Sequence, residues 1–219
     1  MISQRHRTAK SWNTLTLILL FCGCSAPTGS NSATSVVDLN GKAVNLFEEN
    51  ENNAFVVVFM RTDCPIGNRY APTISQLAAE FRSSDLEFVL VYPIVSDSVE
   101  SIKTHLSDYS LDLKSYRDPH RSLVKKIGAS VTPEAAVFDR QHRLIYRGRV
   151  NDRFVDFGKA RLEPTTDDLR NVLLKIRQGK EVEPIFTSAV GCYIEEEVER
   201  KSLQLPPRLN TEQSRETLR

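Results

Sequence analysis

Hydrophobic and polar positions divide this chain into a series of short, distinct elements. Ala54 to Met60 form an unbroken apolar run, followed by the polar turn Arg61 to Asn68. Apolar residues then recur at helical spacing, at Tyr70, Ile74, Leu77, Ala78 and Phe81. The run is too short for a solvent-facing helix and too uniformly β-branched or aromatic for an edge strand. It therefore predicts a strand buried on both faces of a parallel or mixed sheet, and the following segment predicts a helix with one face on that sheet. Leu86 to Tyr92 predict a second buried strand, ended by Pro93. Val99, Ile102, Leu106 and Tyr109 give the next helix, which returns the chain for another parallel strand or a loop. A short helix follows, with Leu123, Val124 and Ile127 inward and Gly128 as its cap. Ala135 to Phe138 and Leu144 to Val150 read as strands. Leu169, Val172, Leu173 and Ile176 read as a final helix, opened by a Thr165–Asp168 capping box and closed at Gly179.

Before the central strand, Asn40-Gly41 lies between the segments 36–39 and 42–46, a strong hairpin signal. Glu48 to Asn53 form a polar loop. Beyond Glu181 only 186–194 suggest an element, and the charged residues from Glu195 onward predict a disordered tail. Strands alternating with helices place the chain in the α/β class, with a mixed central sheet flanked by helices and an N-terminal β-hairpin.

The first residues change the picture from fold to address. Arg5, Arg7 and Lys10 form a basic segment, Leu15 to Phe21 an apolar one too short to span a bilayer, and LFCGC ends it. This predicts a signal peptide over 1–23. Small Gly23 before Cys24 suits cleavage there, with Cys24 becoming a lipid-modified N-terminus, as similarity to bacterial lipoproteins implies. Ordinary secretion, with cleavage near Ala26-Pro27, is the alternative. Both readings export the protein to the cell envelope. Residues 24–35 are small and polar and read as a tether, leaving 36–194 as the domain with its C-terminal extension and 195–219 as the tail. Removing the three basic residues of 1–23 takes the formal charge from +1 to −2 (1 − 3). Nothing here suggests a nucleic-acid partner. No Cys/His cluster has zinc spacing, and no metal or other cofactor is expected.

Candidate chemistry centres on Cys64. A helix start presents unpaired N–H groups and about half a positive charge, which favours a thiolate, and Pro65 suits the first helical position. Arg61 and Arg69 reinforce that effect, while Asp63 opposes it. The competing reading is a buried, inert cysteine. His120 is a candidate base beside Cys64, against the reading of an exposed residue at a helix start. His105 and His142 carry less. The 151–161 stretch reads either as a site for an acidic partner or as a solvated loop anchored by Phe154 and Phe157.

The stretch AFVVVFMRTDCPIGNRYAPTISQLAAEF resembles the active-site strand and helix of thioredoxin-like proteins, in the redoxin branch that includes the alkyl hydroperoxide reductase and thiol-specific antioxidant group. LEFVLVYP resembles the next strand of that fold. SVTPEAAVFDRQHRLIYRG resembles its cis-proline loop and closing hairpin, and the resemblance covers roughly residues 34–180. It implies that Pro133 is cis, lies against Cys64, and keeps the preceding backbone free to pair with an extended substrate. Three departures stand out. Cys64-Pro65-Ile66-Gly67 lacks the second thiol of Cys-x-x-Cys. Arg61 and Val57 stand where peroxiredoxins carry Thr or Ser and Pro. Asn68 stands where copper-delivering relatives carry a second cysteine.

Export leaves Cys64 and Cys192 as the thiols of the mature chain. Cys192 then has three readings. It is a structural staple closing a loop of more than a hundred residues, which the chain-entropy model values at about 5 kcal/mol, or a distant resolving thiol, or an unrelated free one. The expected function is disulfide exchange through Cys64, with protein or small-molecule thiols and disulfides as partners. Thiol peroxidase, non-catalytic binding and copper carriage on the same fold are the alternatives, and the oligomeric state is open.

Overall fold

The computed structural model describes residues 35–50, 54–82 and 86–194. The segment 1–23 expected as a signal peptide, Cys24, most of the expected tether and the tail from Glu195 lie outside the described residues. Among those described, no helix is long and apolar enough to cross a membrane.

The elements in order are β1 (Ser35–Asp38), β2 (Ala43–Asn45), α1 (Leu46–Glu49), β3 (Ala54–Phe59), α2 (Pro65–Phe81) and β4 (Leu86–Tyr92). Then come α3 (Val99–Asp108), β5 (Lys114–Arg117), α4 (Ser122–Ile127), β6 (Val131–Thr132), β7 (Glu134–Phe138) and β8 (Leu144–Gly148). The chain continues with β9 (Phe154–Asp156), β10 (Lys159–Ala160), α5 (Asp168–Arg177), β11 (Ile185–Phe186) and β12 (Cys192–Tyr193).

Among the described residues, eight strands form one sheet in the order β11-β8-β7-β3-β4-β5-β1-β2. β3 is central. It runs parallel to β4 and antiparallel to β7, and all six of its residues are buried. Alternate side chains on a strand point to opposite faces, and the core divides accordingly. Val56 and Val58 join Ile74 and Phe81 of α2 and Leu169 and Leu173 of α5. Phe55, Val57 and Phe59 join Leu46 and, from α4, Leu123 and Ile127. Cover on both faces is why the β3 sequence is apolar throughout rather than alternating.

The N-terminal hairpin forms, with Val36 opposite Val44. Its turn is longer than two residues: Asp38 Oδ1 accepts from the N–H groups of Asn40 and Lys42, and Gly41 takes a φ of +88°. Leu46, expected at the end of the hairpin, instead opens α1, because Asn45 caps that helix by accepting from Phe47 N–H. The predicted Thr165–Asp168 capping box is not made. Thr165 bonds to the Asp152 carboxylate through both its N–H and its hydroxyl, and Asp168 pairs with Arg149 at 2.8 Å. Asp118 has a structural task. Its fully buried carboxylate accepts from the N–H groups of Ser122, Leu123 and Val124 and so closes the start of α4.

Candidate functional site

The strand-to-helix junction places Cys64 as the N-cap of α2 and Pro65 at its first turn. The cysteine sulfur accepts from Gly67 N–H at 3.4 Å, and its S–H donates to Thr132 O at 3.0 Å. Cys64 has no solvent exposure. Arg61, expected to support an anion there, forms an ion pair with Asp63, so the two charges largely offset each other. Arg69 is exposed.

The loop carrying Cys64 is fixed from behind. Met60 N–H donates to Val91 O at 2.9 Å, and the Thr62 hydroxyl donates to Asp97 Oδ1 at 2.6 Å. Asp97 is buried, which raises its pKa. Asn68 Nδ2 donates to Thr62 O at 3.4 Å, while its Oδ1 accepts from His105 Nε2 at 2.9 Å. His105 Nδ1 in turn accepts from the Tyr92 hydroxyl at 2.9 Å. Burial lowers the His105 pKa, consistent with a neutral ring that donates on one side and accepts on the other. His105 is therefore a positioning residue for the first turn of α2. The sequence alone gives it little weight, because Val99, Ile102, Leu106 and Tyr109 read as the inner face of α3. The buried residues there are Ile102 and His105, and their spacing of three is the signal that points to the histidine. His120 is exposed.

On the other side of Cys64 lies the loop before β7. The Thr132–Pro133 peptide bond is cis, and both residues are buried. Glu134 anchors this loop: its Oε2 accepts from Ser130 N–H at 2.8 Å and Val131 N–H at 3.3 Å, and Arg147 pairs with it at 3.4 Å. The backbone ahead of Pro133 is not free, contrary to the expectation from resemblance. β12 pairs with β6 antiparallel, with Cys192 opposite Thr132 and Tyr193 opposite Val131. Ile194 N–H adds a bond to Ser130 O at 2.9 Å.

That pairing brings the two distant cysteines together. Both are thiols in this structure. Burial, interaction with the Cys64 sulfur and the charge of Cys64 all push the Cys192 pKa up. Cys192 thus holds its proton above the pH at which an ordinary cysteine ionises. Two of these three causes depend on Cys64. Cys64→Ala should therefore shift the ionisation of Cys192 to lower pH, read as its alkylation rate against pH followed by peptide mapping. An unchanged profile would contradict the contact.

The loop after β8 packs against α2. The Tyr70 hydroxyl donates to Asn151 Oδ1 at 2.8 Å, and Phe154 is buried against the Tyr70 ring at a centroid distance of 5.2 Å. Phe157, expected as a second anchor, is exposed.

Among solved structures, a hypothetical protein of Sinorhizobium meliloti is 24% identical, with a TM-score of 0.63 over 73% of this chain and 88% of that one. An uncharacterized conserved protein of Geobacillus kaustophilus is 22% identical, with a TM-score of 0.64 over 75% of this chain and 88% of that one. Likenesses of this degree bear on the fold, which is the thioredoxin-like α/β fold with its mixed central sheet flanked by helices. No curated protein matches the chain. The family model described as Redoxin matches residues 23–160.

Proposed function

The chain belongs to the redoxin family, and from that premise we propose that it is an exported thiol–disulfide oxidoreductase with Cys64 as nucleophile and Cys192 as resolving thiol. The observation that carries this reading is that pairing of β12 with β6 sets Cys192 opposite Thr132 and brings its sulfur to that of Cys64 at the start of α2. The Cys64 thiolate attacks one sulfur of a substrate disulfide. A Cys64–substrate disulfide forms, and the other substrate sulfur leaves as a thiolate that takes up a proton. With Cys64 bonded, its interaction with Cys192 no longer raises the Cys192 pKa. Cys192 ionises and attacks the Cys64 sulfur, forming a Cys64–Cys192 disulfide and expelling the second substrate thiolate. The substrate gains two electrons and the protein loses two. An external dithiol restores the enzyme, and with a substrate dithiol the same steps run in reverse.

Export through the 1–23 segment and anchoring through Cys24 belong to the same proposal, and they place the reaction in an envelope compartment. Pro133 holds the Thr132 backbone against the Cys64 sulfur.

The apposed thiols would also resolve a sulfenic acid formed by peroxide. The discriminating experiment mixes reduced full-length protein with a disulfide-bonded peptide or with hydrogen peroxide in a stopped-flow instrument. Exchange with the disulfide should run well above the rate of free cysteine, and peroxide consumption should not. The opposite order would make the protein a thiol peroxidase and reject this reading.

A further inference from the structure

We propose that the acidic run Glu195, Glu196 and Glu197, which directly follows the described residues, lies in a basic cleft between α4 and β12 and clasps the strand that carries Cys192. The clasp belongs to the reduced protein at rest, and it stands whether or not Cys192 resolves a substrate disulfide.

Chain direction decides what enters the cleft. β12 runs antiparallel to β6, with Tyr193 opposite Val131, and Ile194 N–H bonds to Ser130 O at 2.9 Å. Each further residue therefore carries the chain past Ser130 toward Ala129 and Gly128, the end of α4. Ile194 is buried in one core with Val124, Ile127 and Ala129, which fixes the point from which the acidic run starts. Beside it opens a cleft of about 690 Å³, lined by residues that include Arg121, Lys125, Gly128 and Ile194. Three extended residues span about 10 Å, the width of a space of that volume.

The charges are complementary. Among the described residues that line the cleft, Arg121 and Lys125 are charged, and both are cationic. Arg121 is 8% exposed, and a charge so shielded from water acts more strongly on whatever enters. A helix end would ordinarily repel carboxylates through its free carbonyls. Here Arg147 Nη1 donates to Ile127 O at 3.3 Å and to Gly128 O at 2.5 Å, which offsets that repulsion, although Glu134 shares the arginine's charge. Residues 195–199 carry four carboxylates, and cations return only at Arg200 and Lys201.

The strand gains a hold that it otherwise lacks. β12 is two residues long, and Tyr193 is 72% exposed; short segments with few buried contacts open at low free energy. Exposed ion pairs are individually weak, but a run anchored at Ile194 meets the cleft at high effective concentration.

The test treats reduced full-length protein with a carbodiimide, which joins a lysine amine to a carboxylate in contact as an amide. Peptide mapping should recover Lys125 joined to the 195–197 segment, in lower yield at high salt, which screens the contact. The second readout is the rate at which iodoacetamide alkylates Cys192, followed by peptide mapping. Lys125→Glu, at an exposed position, should speed alkylation about threefold or more, because repulsion of the acidic run frees β12. A change of local charge alone acts the other way, since an added carboxylate disfavours the thiolate and slows the reaction. Replacing all three glutamates by glutamine should also speed alkylation and remove its salt dependence. A Lys125→Glu protein that alkylates no faster would overturn the clasp, as would cross-links from 195–197 to lysines elsewhere with none to Lys125.

Discussion

Replacing Cys64 with serine is expected to abolish disulfide exchange while leaving the fold intact. Serine is nearly isosteric and is itself a favoured N-cap, so its oxygen can accept the Gly67 N–H that the sulfur now accepts. Stability should change by no more than about 1 kcal/mol. The chemistry, in contrast, is lost, because a serine hydroxyl without an activating base is a poor nucleophile at neutral pH. Turnover of a peptide disulfide should fall by about a thousandfold or more, measured beside thermal melts of both proteins. Retained exchange in a folded Cys64→Ser protein would remove Cys64 from the mechanism.

The second expectation concerns the resolving step. Cys192→Ser should stall the protein as a Cys64–substrate disulfide and lower steady-state turnover about tenfold or more. Gly67 offers a way to separate loss of the thiol from damage to the C-terminal segment. It occupies the position of the second cysteine in Cys-x-x-Cys. A Cβ built there would lie 3.5 Å from the Cys64 Cβ and 3.7 Å from its sulfur, at the short end of the range a disulfide spans. Its other near neighbour is the terminal methyl of Met60, which is flexible and can yield. Adding Gly67→Cys to Cys192→Ser should therefore restore most of the turnover, with a disulfide between Cys64 and the introduced thiol recovered by peptide mapping. A Cys192→Ser protein that turns over normally and accumulates no mixed disulfide would assign resolution elsewhere.

Much of this architecture is legible in the sequence because it is local. The buried run 54–60, the proline after Cys64 and the apolar spacing of α2 announce a strand, a turn and a helix within one continuous stretch. Asn40-Gly41 announces the hairpin in the same way, and Gly128 the end of α4. What escapes the sequence depends on the path of the chain in space. The Thr165–Asp168 pair has the spacing of a capping box, yet Asp152, thirteen residues earlier, captures Thr165 first. His105 looks like an ordinary helical polar residue until β4 and α2 close around it.

The meeting of Cys192 with Cys64 is the clearest case. It requires β11 to join the sheet parallel to β8 and the chain then to return so that β12 pairs with β6. Two-residue strands leave no periodicity to read. For the same reason, the filling of the β6 edge by the protein's own chain is invisible in the sequence, and resemblance points to an open one.

The most direct test of the central claim is a redox titration of the full-length protein, with thiols trapped at each potential and cysteine peptides mapped. The account predicts that Cys64 and Cys192 lose their thiols together, in one reversible two-electron step, as a single linking disulfide. Its midpoint should fall between about −270 and −120 mV, the span of thiol–disulfide oxidoreductases. Both thiols free at every potential, or a Cys64–Cys192 bond that survives below about −300 mV as structural disulfides do, would contradict it.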